Sequence, residues 1–105
     1  MLEKETTEFE KTVIVGIITQ NQSEDKLTEY LDELEFLTFT AGGEVIKRFF
    51  QKMERPNPKT FLGTGKMDEI NHYIKQNKVS TVIFDDELSP SQQKNITKLL
   101  DCKVL

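Results

Sequence analysis

The sequence feature that most constrains the fold is a continuous run of apolar and β-branched residues at positions 12–19. A strand that is apolar at every position needs cover on both faces, which is typical of parallel sheets. Parallel neighbours must be joined by long crossover connections, usually helices. The chain is therefore expected to alternate strands with helices in an α/β fold.

The remaining sequence supplies that alternation. The elements expected after the first strand are a helix capped by Ser23 and closed near Gly42, an edge strand at 44–53, a helix at 67–77, a buried strand at 79–84, a helix opened by Ser89-Pro90 with Gln92 at its third position, and a last strand from Lys103. This order predicts a small open parallel four-stranded sheet, of strand order 2-1-3-4, with helices on both faces. The apolar face expected for the first helix is Leu27, Tyr30, Leu31, Leu34 and Leu37, and that of the third is Ile96, Leu99 and Leu100.

Length and composition indicate one domain. Residues 1–10 contain four glutamates and are expected to form a disordered acidic tail, which leaves 11–105 as the folded unit. No apolar run approaches the roughly 20 residues that span a bilayer, and the acidic start is unlike a signal peptide. With a single cysteine, Cys102, we expect no internal disulfide and a cytoplasmic protein. The last strand stops abruptly at Leu105, which predicts a fragment of a longer protein.

A basic segment stands out within an acidic chain of net charge −4. Residues 47–66 carry six cations against the single anion Glu54. Cations grouped in this way favour a surface that faces a polyanion, whereas the alternative is ordinary solvated charge on an edge strand and loop. The cations are Lys47, Arg48, Lys52, Arg55, Lys59 and Lys66.

The end of that segment, Gly63-Thr64-Gly65-Lys66, invites comparison with a phosphate-binding P-loop. The comparison fails because Thr60 stands where the first glycine belongs and Met67 replaces the magnesium-binding Ser or Thr. Three interpretations stay open: a tight turn that starts a helix, contact with phosphates or an RNA backbone, and a nucleotide site. Phe61 could stack on a base, but packing into the core is favoured.

Candidates for catalysis or metal binding are weak. Asp85 and Asp86 follow a predicted parallel strand, where carboxylates could hold magnesium, but a structural or helix-capping role is favoured. His72 has no Ser, Cys or second His at a readable spacing. We therefore expect no catalytic residue in this chain and no metal site of its own.

Two long segments resemble HflX-type GTPases. Residues 55–66, Arg-Pro-Asn-Pro-Lys-Thr-Phe-Leu-Gly-Thr-Gly-Lys, followed by Asp68-Glu69-Ile70, resemble one motif of that family, and residues 82–96, Val-Ile-Phe-Asp-Asp-Glu-Leu-Ser-Pro-Ser-Gln-Gln-Lys-Asn-Ile, resemble another. Lys103-Val104 fits the point from which family members continue. The resemblance implies the N-terminal domain of a ribosome-associated GTPase.

It further implies that GTP and Mg²⁺ are bound by a G domain absent from this chain. The implied partners are the large ribosomal subunit, through its rRNA, and the protein's own G domain, with no membrane. Members of the family split stalled or idle ribosomes, and some are reported to bind ATP in this region.

Three hypotheses therefore remain. The first is a non-catalytic ribosome-docking domain that meets phosphates through Lys66, Gly63, Gly65, Arg55 and Lys59, with Lys47, Arg48 and Lys52 as further cations. The second is an ATP-binding domain that uses the Gly63–Lys66 loop, with magnesium near Asp85 and Asp86. The third is an architectural domain that packs against the G domain and regulates it.

Overall fold

The computed structural model describes residues 9–105, which form four strands and three helices. The tail expected at residues 1–10 lies outside the described residues as far as position 8, and Glu10 already belongs to the first strand. Within residues 9–105, no helix combines the length and the apolar character needed to cross a bilayer. The elements are β1 (Glu10–Ile18), α1 (Glu24–Thr40), β2 (Gly43–Lys52), α2 (Thr64–Asn77), β3 (Thr81–Phe84), α3 (Pro90–Leu100) and β4 (Lys103–Val104).

The strands form one parallel sheet of order β2-β1-β3-β4, as the sequence predicts. The apolar run of β1 occupies a central position, and Val13, Ile14 and Val15 are completely buried. This burial explains why that strand carries no polar face: helices cover the sheet on both sides.

Helix α1 covers one face of the sheet and helices α2 and α3 cover the other. On the α1 side, Ile14 packs with Leu27 and Leu31, whereas the larger core lies on the opposite side. Gly16 faces α1, and a Cβ at this position would lie 2.6 Å from a terminal carbon of Leu27. The close approach of α1 to β1 therefore depends on a glycine.

Two predicted helix starts are confirmed. Ser23 caps α1 by accepting a hydrogen bond from the Lys26 amide at 3.2 Å. At α3, Ser89 and Gln92 form a complete capping box, with Pro90 as the first helical residue. These caps satisfy amides that have no partner inside the helix.

The predicted helix faces are wrong at three residues. Tyr30 and Leu37 are 44% and 54% exposed, and Leu99 is 50% exposed. Each residue advances an α-helix by about 100°, so one of two adjacent apolar residues must turn away from the core. The buried side of α1 consists of Leu27, Leu31 and Thr38, so Leu37, next to Thr38, points to solvent. In α3, Leu100 is buried and the adjacent Leu99 points to solvent.

Candidate nucleic-acid interface

The loop between β2 and α2 contains a compact turn at residues 57–61. The Asn57 amide donates to the Phe61 carbonyl at 2.9 Å, and the Phe61 amide donates back to the Asn57 carbonyl at 2.8 Å. The side-chain oxygen of Asn57 also accepts from the amides of Lys59 and Thr60, at 2.8 and 3.2 Å. Asparagine commonly closes turns in this way. The turn therefore holds Lys59 in a defined position.

Phe61 anchors this turn in the core. It is 1% exposed, and its ring meets that of Phe84 edge-to-face at a centroid distance of 5.4 Å. The predicted packing role is confirmed. Its φ of +69° is unusual for an aromatic residue, and the Leu62 amide donates across it to the Thr60 carbonyl at 2.6 Å. This is γ-turn geometry, which is strained and persists only when packing enforces it.

Helix α3 holds the same turn from outside. The buried side chain of Gln92 donates from Nε2 to the Asn57 carbonyl at 2.8 Å, and Asn95 Nδ2 donates to the Lys59 carbonyl at 3.1 Å. Both carbonyls belong to the turn. The turn and α3 therefore form one continuous surface.

The six cations of the basic segment do not lie together. Arg48 lies on the α1 side of β2, where its guanidinium pairs with Asp32 and Glu35 at 2.7 and 2.8 Å. Lys66 pairs with Glu69 at 3.1 Å within α2. The Lys47 amine lies 5.6 Å from the centroid of the Phe49 ring, a cation–π distance.

The structure places the other three cations after or at the end of β2. Lys52 is the last residue of β2, and Arg55 and Lys59 lie in the following loop. All three are exposed, and among residues 9–105 no carboxylate lies within ion-pair distance of them. Lys52, Arg55 and Lys59 are therefore the cations of the segment most available to an external anion.

The two glycines frame the start of α2. Gly63 is the N-cap, where no side chain caps the helix, and its amide donates to Gln51 Oε1 at 2.9 Å. Nothing lies within 4 Å of the place that a Cβ would take at Gly65. The segment acts as a helix start, with open space beside Gly65 and an ion pair on Lys66.

Asp85 and Asp86 shape the turn after β3. The Asp85 amide donates to the Val15 carbonyl at 2.8 Å, and Asp86 Oδ1 accepts from the Glu87 amide at 2.8 Å. Burial, followed by the neighbouring charge of Asp86, raises the pKa of Asp85. In the described part of the chain, no three His, Cys, Asp or Glu side chains are grouped so that they could hold a metal ion. Asp86 thus has a structural role in the turn.

Beside the turn, α3 contributes cations that the sequence analysis did not single out. A groove of about 800 Å³ lies between the turn and α3. Lys98 and Lys59 both line it, and Lys94 precedes Lys98 by one helical turn. The spacing of two lysines by four residues on a predicted helix was the available signal. The lining residues are Pro58, Lys59, Thr60, Ser91, Asn95, Lys98 and Leu99.

Comparison with known proteins gives a consistent family. The family model described as "GTP-binding GTPase N-terminal" matches residues 28–105. A GTPase HflX from Flavobacterium psychrophilum is 78% identical over 105 residues, which is all of this chain and 25% of the relative. GTPases HflX from Lacrimispora saccharolytica and Escherichia coli are 40% and 38% identical, over 96% and 91% of this chain and 24% and 22% of their own lengths.

The chain thus spans about a quarter of the length of these curated relatives. The family match covers α1 from residue 28 onward and every later element, and it includes the 57–61 turn and the whole of α3. The chain belongs to the GTP-binding GTPase N-terminal family and is the N-terminal domain of an HflX-type GTP-binding protein.

Proposed function

We propose that this domain docks its GTP-binding protein onto the RNA of the large ribosomal subunit. The observation that carries the proposal is the loop after β2, where Arg55 and Lys59 are exposed and have no ion-pair partner among residues 9–105. Hydrogen bonds from α3 hold the backbone of this loop at Asn57 and Lys59, so that part of the backbone does not have to be ordered at the moment of binding.

In this role Arg55 and Lys59, with Lys52, meet RNA phosphates. Contacts of this kind position a protein on RNA and read no sequence, so the domain would supply docking and not chemistry. GTP and Mg²⁺ would be bound by the remainder of the GTPase. Docking would then bring the GTPase to ribosomes that it splits, rescues or helps to assemble.

The test is sedimentation of the full-length GTPase with large subunits as the salt concentration is raised. Replacement of Lys52, Arg55 and Lys59 by Gln should lower the association constant at least tenfold. It should also weaken the dependence of that constant on salt, because a variant with fewer phosphate contacts releases fewer counterions when it binds. The matched control replaces three other exposed lysines by Gln: Lys26, Lys75 and Lys78. Equal association of the two triple variants and the parent would overturn the proposal.

A second function is favoured by exposed apolar side chains at the end of α1. Phe36, Leu37 and Phe39 are 66%, 54% and 58% exposed, which is a large apolar area for one helical turn. The chain spans about a quarter of its relatives, so this turn could pack against the rest of the GTPase and regulate its turnover.

Replacement of Phe36 and Phe39 by Ser in the full-length protein separates the two functions. A regulatory contact predicts a changed rate of GTP turnover in the absence of ribosomes. Unchanged turnover without ribosomes would remove this second function and leave docking unaffected.

A further inference from the structure

We infer that the groove between the 57–61 turn and α3 is a seat for one unpaired RNA nucleotide. The base would lie on Leu99 and Pro58, and the adjoining phosphates would meet Lys59 and Lys98. The inference rests on the proposed docking function, and it names the form of RNA that the surface recognises.

Two of the residues that line the groove are apolar, Pro58 on the turn and Leu99 on α3. Leu99 is 50% exposed although its neighbour Leu100 is buried, and Pro58 is exposed on the opposite wall. A smaller cavity of about 100 Å³ adjoins the groove and shares Thr60 and Leu99 with it. An exposed leucine between polar walls would be stabilised by a flat apolar group that covers it.

The rim of the groove is cationic. Lys59 lies on the side of the turn and Lys98 on the side of α3, while Lys94 and Lys98 also line a neighbouring depression. Asp101 lines that depression and Asp68 lines the small cavity, so two carboxylates accompany three lysines. None of the ion pairs found within residues 9–105 includes these three lysines or these two aspartates, so the lysines are available to an external anion.

The acidic helix α1, on the opposite face of the sheet, favours one orientation of the domain toward a polyanion. Helix α1 carries Glu24, Asp25, Glu29, Asp32, Glu33 and Glu35 against Lys26, and it lies across the sheet from α3. A polyanion is repelled from the α1 side and attracted to the α3 side. The electrostatic field of the domain therefore favours the approach of RNA to the side that carries the groove.

The shape of the groove favours an unpaired nucleotide over the other polyanions. An A-form duplex presents phosphates and sugars while its base faces stay stacked inside, so it would leave Leu99 uncovered. An acidic amphipathic helix needs several apolar contacts along a groove, and this groove offers Leu99 and Pro58. One splayed base with its flanking phosphates matches one apolar seat between cations.

The test uses the 105-residue chain and a fluorescein-labelled uridine hexanucleotide, followed by anisotropy. Leu99→Ser removes the seat and should weaken binding about fivefold. Lys98→Gln should weaken binding and lower the slope of log affinity against log salt by about 0.7, the contribution of one phosphate on a single strand. The matched controls are Leu37→Ser, an equally exposed leucine on α1, and Lys75→Gln on α2, which should leave affinity within twofold.

Three results would overturn the inference. These are no binding of the hexanucleotide, equal effects of Leu99→Ser and Leu37→Ser, or a 16-base-pair RNA duplex that binds as tightly as the single strand. Tighter binding of a glutamate-rich peptide with one leucine would assign the groove to a protein partner instead.

The outcome is separable from that of the docking proposal. If Leu99→Ser leaves hexanucleotide binding unchanged while the triple variant at Lys52, Arg55 and Lys59 loses large subunits, the nucleotide seat fails and docking stands. If Leu99→Ser weakens the hexanucleotide while the triple variant retains subunits, docking fails and the seat stands.

Discussion

Arg48 on β2 donates two hydrogen bonds to the same carboxylate oxygen of Glu35 on α1, from Nη2 at 2.8 Å and from Nε at 3.1 Å. The pair joins the edge strand to the helix that covers it. Desolvation lowers the pKa of Arg48, but the hydrogen bonds to Glu35 and Asp32 outweigh it and raise the pKa overall. A cation at the start of the basic segment is therefore paired with acidic side chains of α1.

We expect Arg48→Gln to lower the free energy of unfolding by about 1 kcal/mol, since both carboxylates are partly exposed and solvent screens the pairs. The loss should shrink in 1 M salt. Urea unfolding at two salt concentrations measures it, and Lys47→Gln is the neighbouring control. Weaker binding to large subunits with unchanged stability would contradict this role and return Arg48 to the docking surface.

Gly16→Val should destabilise the domain by about 1–3 kcal/mol through overpacking against Leu27. Gly65→Ala is the matched control, because that position is helical and has open space around it. Alanine there should raise the free energy of unfolding by up to about 1 kcal/mol. Thermal unfolding of both variants checks the pair, and equal shifts of the same sign would contradict the close approach of α1.

Phe61→Ala should lower the free energy of unfolding by about 3–5 kcal/mol, the usual cost of removing a buried aromatic side chain. The contact with Phe84 is lost and the strained backbone at residue 61 is no longer enforced. Hydrogen exchange of the Phe61 amide, which donates to Asn57, should accelerate more than exchange in β1. Slow exchange at Phe61 in a stable variant would show that the turn does not depend on the ring.

Gln92 has two functions that one substitution can separate. Its Oε1 accepts from the Ser89 amide at 2.9 Å, and its Nε2 donates to the Asn57 carbonyl at 2.8 Å. Gln92→Glu keeps the cap and loses the donor, so it should cost about 1 kcal/mol and loosen the 57–61 turn. Ser89→Ala should cost about 1 kcal/mol through the cap and leave the turn in place.

Amide chemical shifts at Asn57 and Lys59 distinguish the two variants. They should move in Gln92→Glu and stay in Ser89→Ala. Identical shifts in both would contradict the separate roles.

Asp85→Asn should stabilise the domain at pH 7. Burial first, and then Asp86, raise the pKa of Asp85 in the folded state, so folding favours its protonated form. The contribution of Asp85 to stability is therefore full below its unfolded pKa of about 3.9 and is lost as pH rises through the folded pKa. The difference in unfolding free energy between variant and parent should vanish in acid. A stabilisation that persists at pH 3, or is shared by the exposed Asp68→Asn, would contradict this cause.

The order of the sheet could be predicted because the apolar run in β1 requires cover on both faces, and parallel strands then require helical crossovers. The start of α3 could be predicted because Ser89, Pro90 and Gln92 act through contacts within one turn. The prediction that Leu99 lies on the core face was wrong, since the choice between adjacent leucines depends on how α3 packs against the sheet. The partner of Arg48 could not be predicted either, because it comes from another element and depends on the register of β2.

In the candidate site, too, the features that depend on tertiary packing could not be predicted from the sequence. Cations close together in sequence were expected to lie together, but successive strand residues point to opposite faces, which separates Lys47 from Arg48. Lys98 lies far along the sequence from Lys59 and lines the same groove, while Lys94 lines a neighbouring depression. The hydrogen bonds of Gln92 and Asn95 to the turn create that neighbourhood, and they depend on the tertiary structure.

The central place of β1 in the sheet also bears on how the domain is made. In the sequence β1 precedes both of its neighbours in the sheet, β2 and β3, and the hydrogen bond from Ser80 to the Lys11 carbonyl spans 69 positions. Contacts so distant in sequence slow folding. In a nascent chain that ends before residue 84, one edge of β1 is unpaired. Chaperones that shield exposed strand edges would therefore be needed most at that stage of synthesis.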